Sequence, residues 1–162
     1  MNRKLKYIKK QLEIFREENI PLQTRLSILG TKYNEIRGKQ TVHYDGEERT
    51  FPMMAIYQEN VDREVRESAW KTCTKRILED TEEISEIFDE MIKLRHQIST
   101  NSGFDGYQEY MFAAMHRFDY TIADCMEFHD SIEFSCMPLK NQFNERRKKS
   151  LQMTKRFCFK DF

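Results

Sequence analysis

The sequence predicts a mainly α fold: an elongated antiparallel helical bundle carrying one small β-hairpin at about residues 41–51. Three observations lead there. Apolar residues recur at steps of three, four and seven over most of the chain, the spacing of one helix face. Only 5 Gly and 3 Pro interrupt 162 residues, too few for a loop-rich β fold. A single short segment, Thr41–Tyr44 answered by Glu48–Phe51, alternates about an Asp45-Gly46 pair. That dipeptide suits a type I′ turn.

The elements follow in order. Residues 2–18 carry Leu5, Ile8, Leu12 and Phe15 at helical spacing, and Pro21 ends or restarts the helix. A second helix runs from Pro21 to about Ile36, with Leu22, Leu26, Leu29, Tyr33 and Ile36 as its stripe and Gly38 as its stop. A lone hairpin is marginal in water, so Val42, Tyr44 or Phe51 should lie on helices. Pro52 opens a short helix through Met53, Met54, Ile56 and Tyr57.

The longest stretch runs from about residue 62 to 101 without Pro or Gly and reads as one helix. Its stripe is Val65, Ala69, Cys73, Ile77, Ile84, Phe88, Met91 and Ile98. Asp62 suits the N-cap, and Gly103 suits a left-handed stop. Asp105 is placed to cap the next helix, with Gln108 as its capping-box partner. The last helix, about 121–148, starts at Thr121 with Asp124 in the same box spacing. Its stripe of Ile122, Cys125, His129, Ile132, Cys136, Leu139 and Phe143 alternates steps of three and four, a seam for an antiparallel neighbour. Pro138 should kink it or mark a join. Residues 1–162 thus read as one helical scaffold region.

Composition narrows the function classes. Charged residues at 33% and hydrophobic residues at 39% suit elongated helices with a modest core. Lys plus Arg equals Asp plus Glu at 27 each, so the bulk field favours neither nucleic acid nor an anionic membrane. No apolar run approaches the roughly 20 residues of a membrane span. The basic start is followed by no apolar core of a secretory signal. The 4 Cys stand apart at 73, 125, 136 and 158, as reduced thiols of a cytoplasmic chain would. Neither a nucleic-acid nor a membrane partner is expected.

Catalytic signatures are scarce. Cys125 and His129 lie one turn apart, a spacing that can hold two zinc ligands, but no further ligands are signalled. There is no HExxH, no GxSxG and no Gly-rich phosphate loop. Carboxylate pairs such as Glu82-Glu83 and Asp89-Glu90 fit solvated faces. Arg146–Lys149 complements the negative end of its helix dipole. Aromatic residues cluster at Phe104, Tyr107, Tyr110, Phe112, Phe118 and Tyr120. They serve either core packing or a peptide-binding wall.

Four segments in order carry a resemblance: YNEIRGKQTVHYDGEERTFPMMAIY, DREVRESAW, LRHQISTNSGFDGYQEYMF and FDYTIADCMEFHDSIE. Over about residues 25–148 the chain resembles the oligoendopeptidase F branch of the thimet-oligopeptidase-like zinc metallopeptidases. The resemblance implies helices that wall a deep channel for oligopeptides. It places Tyr107, Tyr110, Phe118, Tyr120 and His96 as candidates for that wall. It also implies zinc in the full-length family, held by the two His of HExxH and a downstream Glu, with the metal activating water and the HExxH Glu acting as base. Those groups lie C-terminal to the matched region, so no catalytic residue, metal ligand or cofactor is assigned within this chain, and residues 150–162, which depart from the family's pattern, form a divergent tail.

Two functions follow. One is a piece of such a peptidase, with oligopeptides, the missing C-terminal half or a second copy as partners. The other is a free-standing helical module that binds a protein or peptide.

Overall fold

The computed structural model describes residues 3–150. The expected tail lies outside the described residues from 151 onward, Cys158 included. Seven helices and one hairpin make up the described chain: α1 (Arg3–Ile14), α2 (Asn19–Gly38), β1 (Thr41–Tyr44), β2 (Glu47–Thr50), α3 (Phe51–Gln58), α4 (Arg63–Glu79), α5 (Thr81–Asn101), α6 (Tyr107–Ala114) and α7 (Ile122–Ser150). The mainly α class with one small hairpin is therefore what the chain adopts. The chain divides into two compact units. One comprises Met1–Gly30 with Phe88–Gln142, and the other Thr31–Ile87 with the stretch from Phe143.

In the second unit the hairpin is a two-stranded antiparallel sheet with Tyr44 opposite Glu47 and Thr41 opposite Thr50. Asp45 at φ 53° and Gly46 at φ 77° both take the left-handed region, as a type I′ turn requires. The second strand sits one residue earlier than the sequence suggests, and Phe51 becomes the first residue of α3. Val42 and Tyr44 share one face of β1. They pack with Met54, Ala69 and Cys73, of which Met54 and Ala69 have no exposed surface. Phe51 and Tyr57 close the same cluster. The Tyr44 hydroxyl donates to the Val65 carbonyl at 3.3 Å, and that of Tyr57 to Asp45 Oδ2 at 3.2 Å. The hairpin is thereby held down at both its face and its turn.

The expected 62–101 helix is interrupted. It begins as anticipated, with Asp62 Oδ1 accepting from the Glu64 N–H at 2.8 Å. At Asp80 it stops: φ −100° and ψ 9° leave the helical well, and α5 restarts at Thr81. No Pro or Gly causes this. The Asp80 carboxylate accepts from Gln40 Nε2 and from Arg76 Nη1, each at 2.6 Å. Gln40 is itself buried and accepts from Arg37 Nη1 at 2.6 Å. A buried amide needs partners, and the Asp80 carboxylate at the break supplies one. Beyond the break Ile98 of the expected stripe is buried, but Ile87 goes inside in place of Phe88, which is 55% exposed.

In the first unit α1 packs on α6, and the core is Ile14, Ile98 and Tyr110 with Leu22, Leu26 and Phe104 around them. The stripe expected on α1 is not the buried one. Leu5, Ile8, Leu12 and Phe15 are 46–73% exposed, and Ile14 goes inside. Where α1 ends and α2 begins, Asn19 is 2% exposed and hydrogen-bonds to the last turn of α5. Its Nδ2 donates to the Ile98 carbonyl at 3.1 Å and to Ser102 Oγ at 2.9 Å. Its Oδ1 accepts from Asn101 Nδ2 at 2.8 Å. Ser102 Oγ donates onward to the Ile14 carbonyl at 3.1 Å.

Candidate functional site

The aromatic cluster is built on the turn that closes α5. Gly103 sits at φ 80°, the Phe104 N–H donates to the Ser99 carbonyl at 3.0 Å, and the Gly103 N–H donates to that of Thr100 at 3.0 Å. That pair of bonds is a Schellman stop, and it turns the chain back toward α5. Asp105 does not cap α6: Gly106 occupies the N-cap, with no side-chain cap bond. A glycine there leaves room for Glu109, whose carboxylate lies over the Cα, 2.5 Å from where a Cβ would stand.

The candidate wall residues separate by depth. Tyr110 is 7% exposed and belongs to the core, edge-on to Phe104 at 5.8 Å and stacked with Tyr107 at 5.8 Å. Tyr107 is half-buried beneath the Arg95 guanidinium, 5.7 Å from its ring centre. Phe118 is half-buried, 5.8 Å from the His116 ring. Tyr120 is 44% exposed and meets Phe112 edge-on at 5.8 Å. The Arg117 guanidinium lies over both rings, at 5.1 Å from Phe112 and 5.7 Å from Tyr120. His96 is exposed on α5, and its carbonyl accepts from the hydroxyls of Ser99 and Thr100. The structure thus joins Tyr107 to Tyr110 and sets Phe118 and Tyr120 in neighbouring ring pairs. His96 makes no ring contact within the cluster.

His116 is the residue that periodicity does not reveal. It ends α6 at φ 54°, a conformation uncommon for a side chain with a Cβ. The Arg117 N–H donates to the Phe112 carbonyl at 3.1 Å, and the His116 N–H to that of Ala113 at 3.1 Å, so His116 takes the place a glycine would fill. Its ring lies 4.0 Å from that of Tyr7, and its Nε2 is 2.9 Å from Gln11 Nε2. Its Nδ1 is buried without a partner. The only local clue was a helix ending without glycine before Phe118.

At the start of α7 the capping box forms as expected. Asp124 Oδ2 accepts from the Thr121 N–H at 2.6 Å, and Thr121 Oγ1 accepts from the Asp124 N–H at 3.2 Å. The backbone bond first, and the Thr121 hydroxyl second, hold the Asp124 carboxyl below its ordinary range.

Zinc does not fit these residues. Cys125 is half-buried and His129 is exposed one turn on. Among the described residues no three His, Cys, Asp or Glu side chains gather as a metal site would need. What the cluster offers instead is ring faces, two guanidinium planes and exposed polar edges.

Residues 56–158 match the profile of peptidase family M3. Three solved structures share the fold. A protein of Bacillus anthracis str. Ames assigned as an oligoendopeptidase F superposes with TM-score 0.92 at 20% identity, over 99% of this chain and 30% of that one. A second structure assigned as an oligoendopeptidase F gives 0.92 at 21%, over 98% and 28%. PZ peptidase A bound to an inhibitor gives the same values. The chain therefore spans under a third of the length of each. No curated protein matches it significantly in sequence.

Proposed function

The chain belongs to peptidase family M3, and from that premise we propose that it supplies scaffold and channel wall of an oligoendopeptidase F-like metallopeptidase, without the zinc centre. The observation that carries this reading is the superposition of 98–99% of the chain on 28–30% of peptidase chains at TM-score 0.92. The 162 residues contain no HExxH. Tyr107, Phe118, Tyr120 and His96 line the wall, with Tyr110 as the buried post that sets the angle of Tyr107. Zinc belongs to the complete peptidase, where it activates the attacking water. This chain's residues contribute shape, ring faces and guanidinium groups to the peptide's path, and by themselves hydrolyse nothing. We place the chain in the cytoplasm.

Two measurements test the proposal. The purified chain, given zinc and a fluorogenic oligopeptide, should show no turnover, with or without chelator. Chelator-sensitive turnover would refute it. Titration with an unlabelled oligopeptide should shift the NMR signals of Tyr107, Phe118, Tyr120 and His96. Tyr120→Ala should weaken that binding roughly tenfold. Binding that leaves those signals in place would refute the wall assignment.

A second reading, a free-standing interaction module, rests on α7. That helix buries none of its residues.

A further inference from the structure

Among the described residues, helix α7 carries a seam that is largely uncovered. Cys125, His129, Ile132, Cys136, Leu139 and Phe143 follow one another at steps of four and three along about 27 Å of helix. Ile132, Leu139 and Phe143 are 38, 52 and 56% exposed, and Phe128 on the flank is 63% exposed. The helix continues through Pro138 despite the lost N–H. An alternating four-three seam of this kind is what one helix presents to a second running alongside it.

Its charge is divided along its length. Residues 122–135 hold four acidic side chains and no Lys or Arg. Residues 136–150 hold five basic side chains and one acidic. Some of this complements the helix's own dipole, which reaches only the first and last turns. Asp130, Glu133 and Lys140 lie beyond those turns. Glu133 and Lys140 each directly follow a seam residue, Ile132 and Leu139, and so flank the seam on one side.

We propose that α7 pairs with α7 of a second copy of this chain, antiparallel and two-fold symmetric. Run parallel, two copies would set acid beside acid and base beside base. Run antiparallel, each acidic half meets the other copy's basic half, and the dipoles oppose favourably. A two-fold axis near the helix midpoint places Glu133 beside Lys140 of the second copy, and by symmetry forms that pair twice. Cys136 then lies next to the axis, near its own copy. The seam residues become the dry interior of the interface, and the charges select the direction. This inference does not rest on the peptidase reading: the dimer stands or falls whether or not the chain binds peptide.

The test uses the full chain and sedimentation equilibrium. A discrete monomer–dimer equilibrium is expected, weakened by added salt. E133K alone and K140E alone should each raise the dimer Kd about tenfold, because each turns two attractions into two repulsions. The double variant E133K/K140E should return the Kd to within about threefold of the original. Mixing the two single variants should produce a heterodimer, since all its flanking pairs are opposite in sign. A short bismaleimide should link Cys136 to Cys136 of the second copy, and Cys136→Ser should abolish that product. Three results overturn the proposal. The first is a monomer at all accessible concentrations. The second is open-ended association indifferent to both charge swaps. The third is pairing that appears only with an added polypeptide that completes the peptidase fold.

Discussion

Asn19→Ala removes the amide that ties the start of α2 to the last turn of α5. Three hydrogen bonds disappear, to Ile98, Ser102 and Asn101. Two of the partners are cushioned: Ser102 Oγ keeps its bond to the Ile14 carbonyl, and the Ile98 carbonyl keeps the Ser102 N–H. Asn101 is half-buried and can turn to water. At about 0.5–1.5 kcal/mol net per bond, with little added cost for orphaned groups, the expected loss is about 2–3 kcal/mol. The readout is amide hydrogen exchange at Ser102, Gly103 and Phe104, whose N–H groups close α5 beside Asn19. Their protection should fall by about 30- to 150-fold, given a tenfold change per 1.4 kcal/mol. Asn19→Asp is the sharper probe. It replaces a buried donor by a carboxylate aimed at the Ile98 carbonyl, so near neutral pH it should cost more than alanine. Burial raises the carboxyl's pKa in the folded state, so the penalty should shrink as pH falls and the group protonates. A loss below about 0.5 kcal/mol for Asn19→Ala, or an aspartate variant as stable as the parent near neutral pH, would refute the assigned network.

Other outcomes follow from the same structure. Gly103→Ala should cost about 1–2 kcal/mol by urea unfolding, purely from its φ of 80°, because open space surrounds the position of the missing Cβ. Asp80 is held below its ordinary carboxyl value, by Gln40 first and Arg76 after it. Such a group stabilises the fold above its unfolded pKa, and that contribution is lost as pH falls through the lower folded value. Asp80→Asn should therefore flatten the acid limb of a stability–pH curve, and an unchanged limb would count against the Gln40–Asp80 bond. Burial pushes the Cys73 thiol up, so it should react with a thiol reagent far more slowly in the folded chain than after denaturation.

Much of the fold was legible because its signals are short-range. The Thr121–Asp124 box, the Asp62 cap, the left-handed Gly103 and the Asp45-Gly46 turn each act within a few residues, and each is found where the sequence puts it. The hairpin's landing on α3 and α4 through Val42 and Tyr44 was also readable, since a two-stranded sheet must bury one face. The Asp105 cap failed because Gly106, one residue later, takes that place with an extended backbone. Of the aromatic cluster, its position was readable but its depth was not. Tyr110 is core while Tyr120 stands at the surface, and nothing in their spacing separates them.

By itself the sequence determined the helical class, the position of the hairpin, most element ends and the lack of an HExxH motif within these residues. Those properties depend on backbone propensity and neighbours a few residues away. Tertiary structure decided the break at Asp80, the burial of Ile14 in place of the α1 stripe, the exchange of Phe88 for Ile87, and the left-handed His116. Each of these depends on a partner distant in the chain. Gln40 claims the carboxylate of Asp80, forty positions later. Tyr7 and Gln11 of α1 hold a histidine more than a hundred positions on. Periodicity can say that a helix has an apolar face; only the assembled chain determines whether anything covers it.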